Sequence, residues 1–254
     1  MTREPQVDRA WYIGCTADEV GDAAILVGDR GRIDRLAEML EAPTILPEKR
    51  GLRTVTGGWR GRRITATAFG MGAPIAVIVL RELAALGVDV FVRIGTAMVL
   101  GPARLGDLLI AETALAPDGC TTVFSRPGHV ATADARLTAA LAEAGPDARP
   151  VRGGQFASYD SFYGTMFPLL PGERPEVATE RERLAELGVL ATDMETAALL
   201  TVGHRMRLAT ASLCLGTVDA ASQAKLPPDA LAAGEADLFR TSLDGIVRFL
   251  DQKR

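Results

Sequence analysis

Cysteine and histidine are scarce in these 254 residues: three of the first, Cys15, Cys120 and Cys214, and two of the second, His129 and His204. The cysteines are odd in number, widely spaced and form no CxxC pair, so neither a disulfide framework nor a zinc site is expected, and a reducing cytoplasm is the simplest compartment. Long hydrophobic runs are missing too. None approaches the roughly 18 apolar residues of a membrane span, and residues 1–9 are polar, with no hydrophobic signal segment. Positive charge is not in excess either: the net charge is −4, the isoelectric point is near 5.4, and the basic residues are spread along the chain. That excludes the charge footprint of a nucleic-acid or membrane-surface partner.

Several nucleotide and hydrolase motifs are absent. There is no GxxxxGK[ST] and no GxSxG. Gly70-Met71-Gly72-Ala73 lies between a strand pattern and a helix pattern, as a dinucleotide fingerprint would. Ile75 stands where the third glycine belongs, and no ribose-binding acid follows at the proper distance. A Rossmann-type cofactor site is therefore rejected, and no cofactor is expected.

What the chain does have is alternation. Apolar, strand-like runs at 23–27, 88–95, 107–113, 151–158, 189–192 and 209–215 alternate with helical spacing at 33–40, 73–86, 133–144, 174–187, 193–206 and 228–250. Residues 53–56 and 64–69, separated by Gly57-Gly58 and Gly61, read as a hairpin. With 48% hydrophobic residues and no linker or repeat, the pattern predicts one α/β domain over 1–254: three layers, with a mixed central β-sheet flanked by helices. Ligands of such sheets sit beyond the carboxyl ends of the strands.

Four strand ends carry suggestive residues. Arg93-Ile94-Gly95-Thr96 offers a guanidinium, a hydroxyl and a backbone open to close approach, which together can grip an anion. Gly28-Asp29-Arg30-Gly31-Arg32 repeats the theme upstream. Asp193-Met194-Glu195 opens a helix, and Thr217-Val218-Asp219 ends the last strand. Each has a plainer reading. The glycines make a turn, Arg93 is a structural ion-pair partner, Asp193 and Glu195 are acids at a helix N-terminus, Met194 is core, and Asp219 is an Asx-turn residue.

The order GDRGR, FGMGAPIAVIVLRELAALGVDVFVRIGT, RLGDLLIA, DSFYG and ATDMETAALL resembles the nucleoside phosphorylases of the uridine phosphorylase and hexameric purine nucleoside phosphorylase type. The likeness runs from about Tyr12 to Asp219. It implies that Gly28, Arg32, Arg93 and Thr96 bind phosphate, the co-substrate. Arg50 would reach a neighbouring subunit's phosphate, so the resemblance also implies a homodimer or a trimer of dimers. It implies Met194 and Glu195 on the ribose, with Tyr12 where family members carry a histidine for the sugar 5′-hydroxyl. Phe162 would stack near the base, with Asp193 on the same side. Asp219 matches the aspartate that protonates a purine ring. Asp219, Arg93 and Glu195 thus become the expected catalytic residues.

The sequence departs from the family in the base half. Met166 and Pro168 occupy the positions where uridine phosphorylases read uracil with a glutamine and an arginine, and neither side chain can hydrogen-bond a pyrimidine edge. Met98 replaces a small glycine after RIGT. The expectation is therefore phosphorolysis of a purine or a modified nucleoside rather than uridine. A hydrolytic nucleosidase of the same fold and a non-catalytic nucleoside-binding protein are the alternatives.

Overall fold

A computed structural model of the chain describes residues 4–170, 172 and 174–253. Its first strand explains its centre. Ala23–Val27 (β1) is a continuous apolar run, and all five residues are buried, as they must be when both faces of a parallel sheet are covered. Its neighbours are Arg62–Ala68 (β4) and Val90–Val99 (β5), both parallel to it. Beyond β4 lie Thr54–Trp59 (β3) and Glu41–Ile45 (β2), each antiparallel to the strand before it. The β3–β4 hairpin turns at Arg60 and Gly61, with φ of 48° and 76°. That pair of positive angles matches the twist of a two-residue hairpin.

On the other side the sheet curls. β5 pairs in parallel with Ala209–Asp219 (β10), which pairs antiparallel with Leu108–Leu115 (β6). Beside β6 run Val151–Ser158 (β8) and then Val189–Asp193 (β9). β9 returns to β5 at Met98 and Val99, so β5, β10, β6, β8 and β9 close a ring. Short Val130–Thr132 (β7) hangs on β6.

Helices cover both faces. Gly31–Met39 (α1), Ala135–Glu143 (α4) and Pro228–Gln252 (α7) pack on the side of Ala23, Ile25, Val92 and Ile94. Ala73–Ala85 (α2) and Thr196–Met206 (α6) pack on the side of Ala24, Leu26 and Phe91. Gly119–Thr122 (α3) is a single turn in the loop after β6, and Arg174–Glu186 (α5) precedes β9. The expected three-layer α/β architecture with a mixed sheet is what the chain adopts. Among the described residues no helix is long and apolar enough to cross a membrane.

Several elements differ from the expectation, among them an unforeseen strand and a late helix start. β2 was not foreseen: all its residues are exposed and Pro43 lies within it, which is how a sheet edge looks. Gly57 makes room for it, because a Cβ there would stand 3.1 Å from Glu41 O and 3.3 Å from Pro43 Cα. The helix expected from Asp193 begins at Thr196 instead. Asp193 still belongs to β9, and its carboxylate accepts the Thr196 N–H at 3.3 Å, so it stands ahead of the helix as a capping acid.

Candidate functional site

A cavity of about 780 Å³ opens where β1, β5, β9 and β10 end. Its floor is made of two glycine loops in contact. Gly70 donates its N–H to Gly28 O at 3.1 Å, and a Cβ on Gly28 would lie 2.8 Å from Gly70 O. The motif dismissed as a dinucleotide fingerprint thus has a structural task beside the cavity.

Arg93 and Gly95 share one face of β5, since strand side chains alternate. A Cβ on Gly95 would fall 2.7 Å from Arg93 Nη1. The glycine is therefore the space in which the guanidinium lies. Arg93 is 5% exposed and held on three sides. Nη2 donates to Glu195 Oε2 at 2.6 Å, Nη1 lies 3.1 Å from Asp193 Oδ2, and Nη1 also donates to Cys214 Sγ at 2.8 Å. Burial alone would lower the arginine's pKa, but Asp193, Cys214 and Glu195 outweigh it and leave the value above the ordinary one. The group is a permanent cation. Burial pushes the Cys214 thiol up in turn.

Glu195 has a second anchor, the Gly72 N–H, which donates to Oε1 at 2.7 Å. Asp193 accepts the Ser158 hydroxyl at 2.6 Å and the Thr196 hydroxyl. The plain reading of these residues as ion-pair partners holds, and the pairs form on the cavity wall.

Ten of the thirteen expected site residues line this one cavity: Gly28, Arg32, Arg93, Thr96, Met98, Phe162, Met166, Asp193, Met194 and Glu195. Arg32, from the first turn of α1, is buried and bonded through Nε to Glu235 Oε1 at 2.9 Å. The wall towards β9 is apolar. Met98 and Met166 are buried in one cluster, and Phe162 opens a π-helical turn, Phe162–Met166, stacking on Phe167 at 5.7 Å. Thr192 lies between them, and its buried hydroxyl has no partner among the described residues.

Three expected site residues are elsewhere. Tyr12 and Arg50 meet each other, the guanidinium 5.0 Å from the ring, and neither lines the cavity. Asp219 lies past the lining residues Thr217 and Val218. Its Oδ1 accepts the N–H groups of Ala221 (3.1 Å) and Ser222 (2.8 Å) and the Ser222 hydroxyl (2.8 Å). Those bonds, the Ser222 amide first, hold its carboxyl below the usual aspartate range. This is the Asx-turn arrangement. Conversely, Asp29, Met71, Tyr163 and Thr192 line the cavity without having been expected there. Asp29, Met71 and Tyr163 each lie inside a motif that had been noted but were given no role of their own, and Thr192 directly precedes Asp193.

Residues 22–243 match the model of the phosphorylase superfamily. A uridine phosphorylase of Thermococcus kodakarensis is 33% identical over 217 residues, covering 83% of this chain and 78% of that protein. A guanosine phosphorylase of Halorubrum lacusprofundi is 28% identical over 203 residues, 79% of each chain. A DeoD-type purine nucleoside phosphorylase of Jannaschia is 28% identical over 238 residues, 92% of this chain and 97% of its own.

Proposed function

Since this chain belongs to the phosphorylase superfamily, we propose that it cleaves a nucleoside with inorganic phosphate, giving free base and pentose 1-phosphate. The observation that carries the reading is the 2.6 Å pair between Arg93 and Glu195 on the cavity wall. It sets an acceptor for two sugar hydroxyls directly beside a donor for phosphate. With Gly28, Arg32 and Thr96 on the same wall, phosphate would be held against the anomeric carbon. The C1′–N bond breaks with its electron pair leaving on the base, which takes up a proton from solvent, the sugar becomes oxocarbenium-like, and a phosphate oxygen closes the new C1′–O bond. Fixed cations that hold the dianion in place supply positioning and charge stabilisation. Phosphate is the only co-substrate this scheme needs.

For the base, Met98, Met166 and Phe162 offer shape and stacking but no hydrogen bonds. That supports a purine or a modified base over uracil, whose edge a site must pair to hold. The relatives' names cover uridine, guanosine and purine nucleosides alike, so the preference rests on the pocket. Asp193 would face the base side and Met194 the sugar. No proton is routed through Asp219, which lies in a turn past the lining residues Thr217 and Val218. Tyr12 and Arg50 would complete a neighbour's cavity, which needs at least a dimer and fits a trimer of dimers. We take residues 1–254 as one such unit, at work in the cytoplasm.

The test is a panel of purine, pyrimidine and modified nucleosides incubated with and without phosphate, followed by measurement of released base. Phosphate-dependent release is expected. Release at equal rate without phosphate would mean a nucleosidase, and tight binding without release would mean an idle binder. Glu195→Gln weakens charge-assisted hydrogen bonds worth about 1.5–3 kcal/mol and should lower kcat/KM by roughly 10- to 150-fold. Normal turnover by this variant would remove Glu195 from the sugar.

A further inference from the structure

We infer that Glu235, on α7 and 203 residues from Arg32 in sequence, is a positioning residue for phosphate. The inference rests on the proposed role of Arg32.

Gly234 lets α7 approach β10 closely, since a Cβ there would meet Leu215 at 2.7 Å. The next residue, Glu235, is thereby carried to α1 and is 5% exposed. A buried carboxylate without partners is costly, and this one has two. Oε1 accepts Arg32 Nε at 2.9 Å, and Oε2 accepts Arg35 Nη1. Arg35 also lies over the Phe239 ring at 5.5 Å and 3.6 Å from Asp29. Asp29 in turn accepts the Gly31 N–H at 2.9 Å. The loop from Gly28 to Arg32 is thus tied to α7 through a single carboxylate.

The atom used on Arg32 gives the pair its meaning. An arginine bound through Nε keeps both Nη groups for another partner, and that edge matches an oxyanion bidentately. Among the described residues Glu235 is the acid paired with Arg32, and Arg32 lines the cavity. Glu235 therefore fixes the direction of the guanidinium while leaving its binding edge free.

A charge argument and a positioning argument predict opposite results when Glu235 is removed. Deleting a negative charge near the phosphate site would by Coulomb's law tighten phosphate. Releasing the Arg32 side chain would loosen it, because small misplacements of a binding group are expensive. Positioning predicts that Glu235→Ala raises the KM for phosphate on the order of tenfold, with the KM for the nucleoside nearly unchanged. A merely structural brace would not split the two constants in this way. Glu235→Asp keeps the charge but shortens the reach; it should raise the phosphate KM in the same direction, and it serves if the alanine variant does not fold. Arg35→Ala, which leaves the Arg32–Glu235 bond in place, should leave the phosphate KM near that of the parent.

Phosphate-dependent turnover of the parent enzyme with an unmoved or lowered phosphate KM in both Glu235 variants overturns this inference alone. So does an equal rise in Arg35→Ala. Parent turnover that ignores phosphate would defeat the proposed function, and this inference with it.

Discussion

Replacing Gly95 by alanine should damage the protein well beyond the addition of one methyl group. The backbone at Gly95 is not among the positive-φ positions, so no conformational strain is involved and the effect is purely one of space. The new Cβ would lie 2.7 Å from Arg93 Nη1 and 2.9 Å from Cζ and Nη2. An arginine tip is ordinarily free to swing aside. This one is buried and held by Glu195 at 2.6 Å, Asp193 at 3.1 Å and Cys214 at 2.8 Å. Moving it breaks contacts that satisfy two buried carboxylates. Breaking a buried ion pair so that a charge is stranded costs about 3–5 kcal/mol. For a chain of this size each kcal/mol is worth roughly 2–4 °C in Tm, so a fall of about 6–20 °C is expected. Thermal unfolding measured by circular dichroism gives the number, and phosphate kinetics give a second readout, because under the proposed function a displaced Arg93 would no longer offer its Nε–H, which has no partner among the described residues. A variant that melts within about 2 °C of the parent and keeps its phosphate KM would show that the guanidinium does not depend on the space at Gly95.

Two further substitutions probe the neighbouring walls. The buried Thr192 hydroxyl has no partner among the described residues, and an unpaired buried hydroxyl costs about 1–3 kcal/mol. Thr192→Val, of nearly the same shape, should therefore raise Tm by several degrees, and a lower Tm would reveal a bond at that oxygen. Asp219→Asn should leave turnover within a few-fold of the parent, because the carboxylate serves a turn outside the cavity. A general acid contributes about 10²–10⁴-fold, so a hundredfold loss would reinstate Asp219 as proton donor. The same variant has a pH signature. The folded-state pKa of Asp219 is depressed, so its stabilisation is present above the unfolded value near 3.9 and lost as pH falls through the folded one. The Tm gap between parent and Asp219→Asn should close on acidification from about pH 6 to below pH 3.

What could be read from the sequence followed the physics of each signal. β1 falls where its apolar run predicted, because a strand buried on both faces announces itself locally; β8 also falls at 151–158, although its first half is exposed or half-buried and only Phe156, Ala157 and Ser158 are buried. β10 runs to Asp219, beyond the apolar run that ended at residue 215, because its last residues pair with Met98 and Val99 after a register shift between Gly216 and Val218. Polar residues held in a sheet by a distant strand carry no periodic trace. The same limit applies inside the site. The Arg93–Glu195 and Arg32–Glu235 bonds join residues 102 and 203 positions apart, and no spacing rule connects them. Each arginine was still visible, because a glycine stood beside it for a steric reason: Gly95 for the guanidinium of Arg93, Gly28 for the approach of Gly70.

The half of the cavity proposed to hold the base offers no such marker. Met98 and Met166 are core residues by composition and by burial, and they join Leu100, Leu184 and Val189 in one cluster. An apolar side chain that packs a core and one that shapes a pocket obey the same rules, so neither periodicity nor burial separates the two duties. Charge and glycine point to a reaction because they are expensive anywhere else. Methionine is inexpensive everywhere, so the identity of the base must come from substrates rather than from the residues that would enclose it.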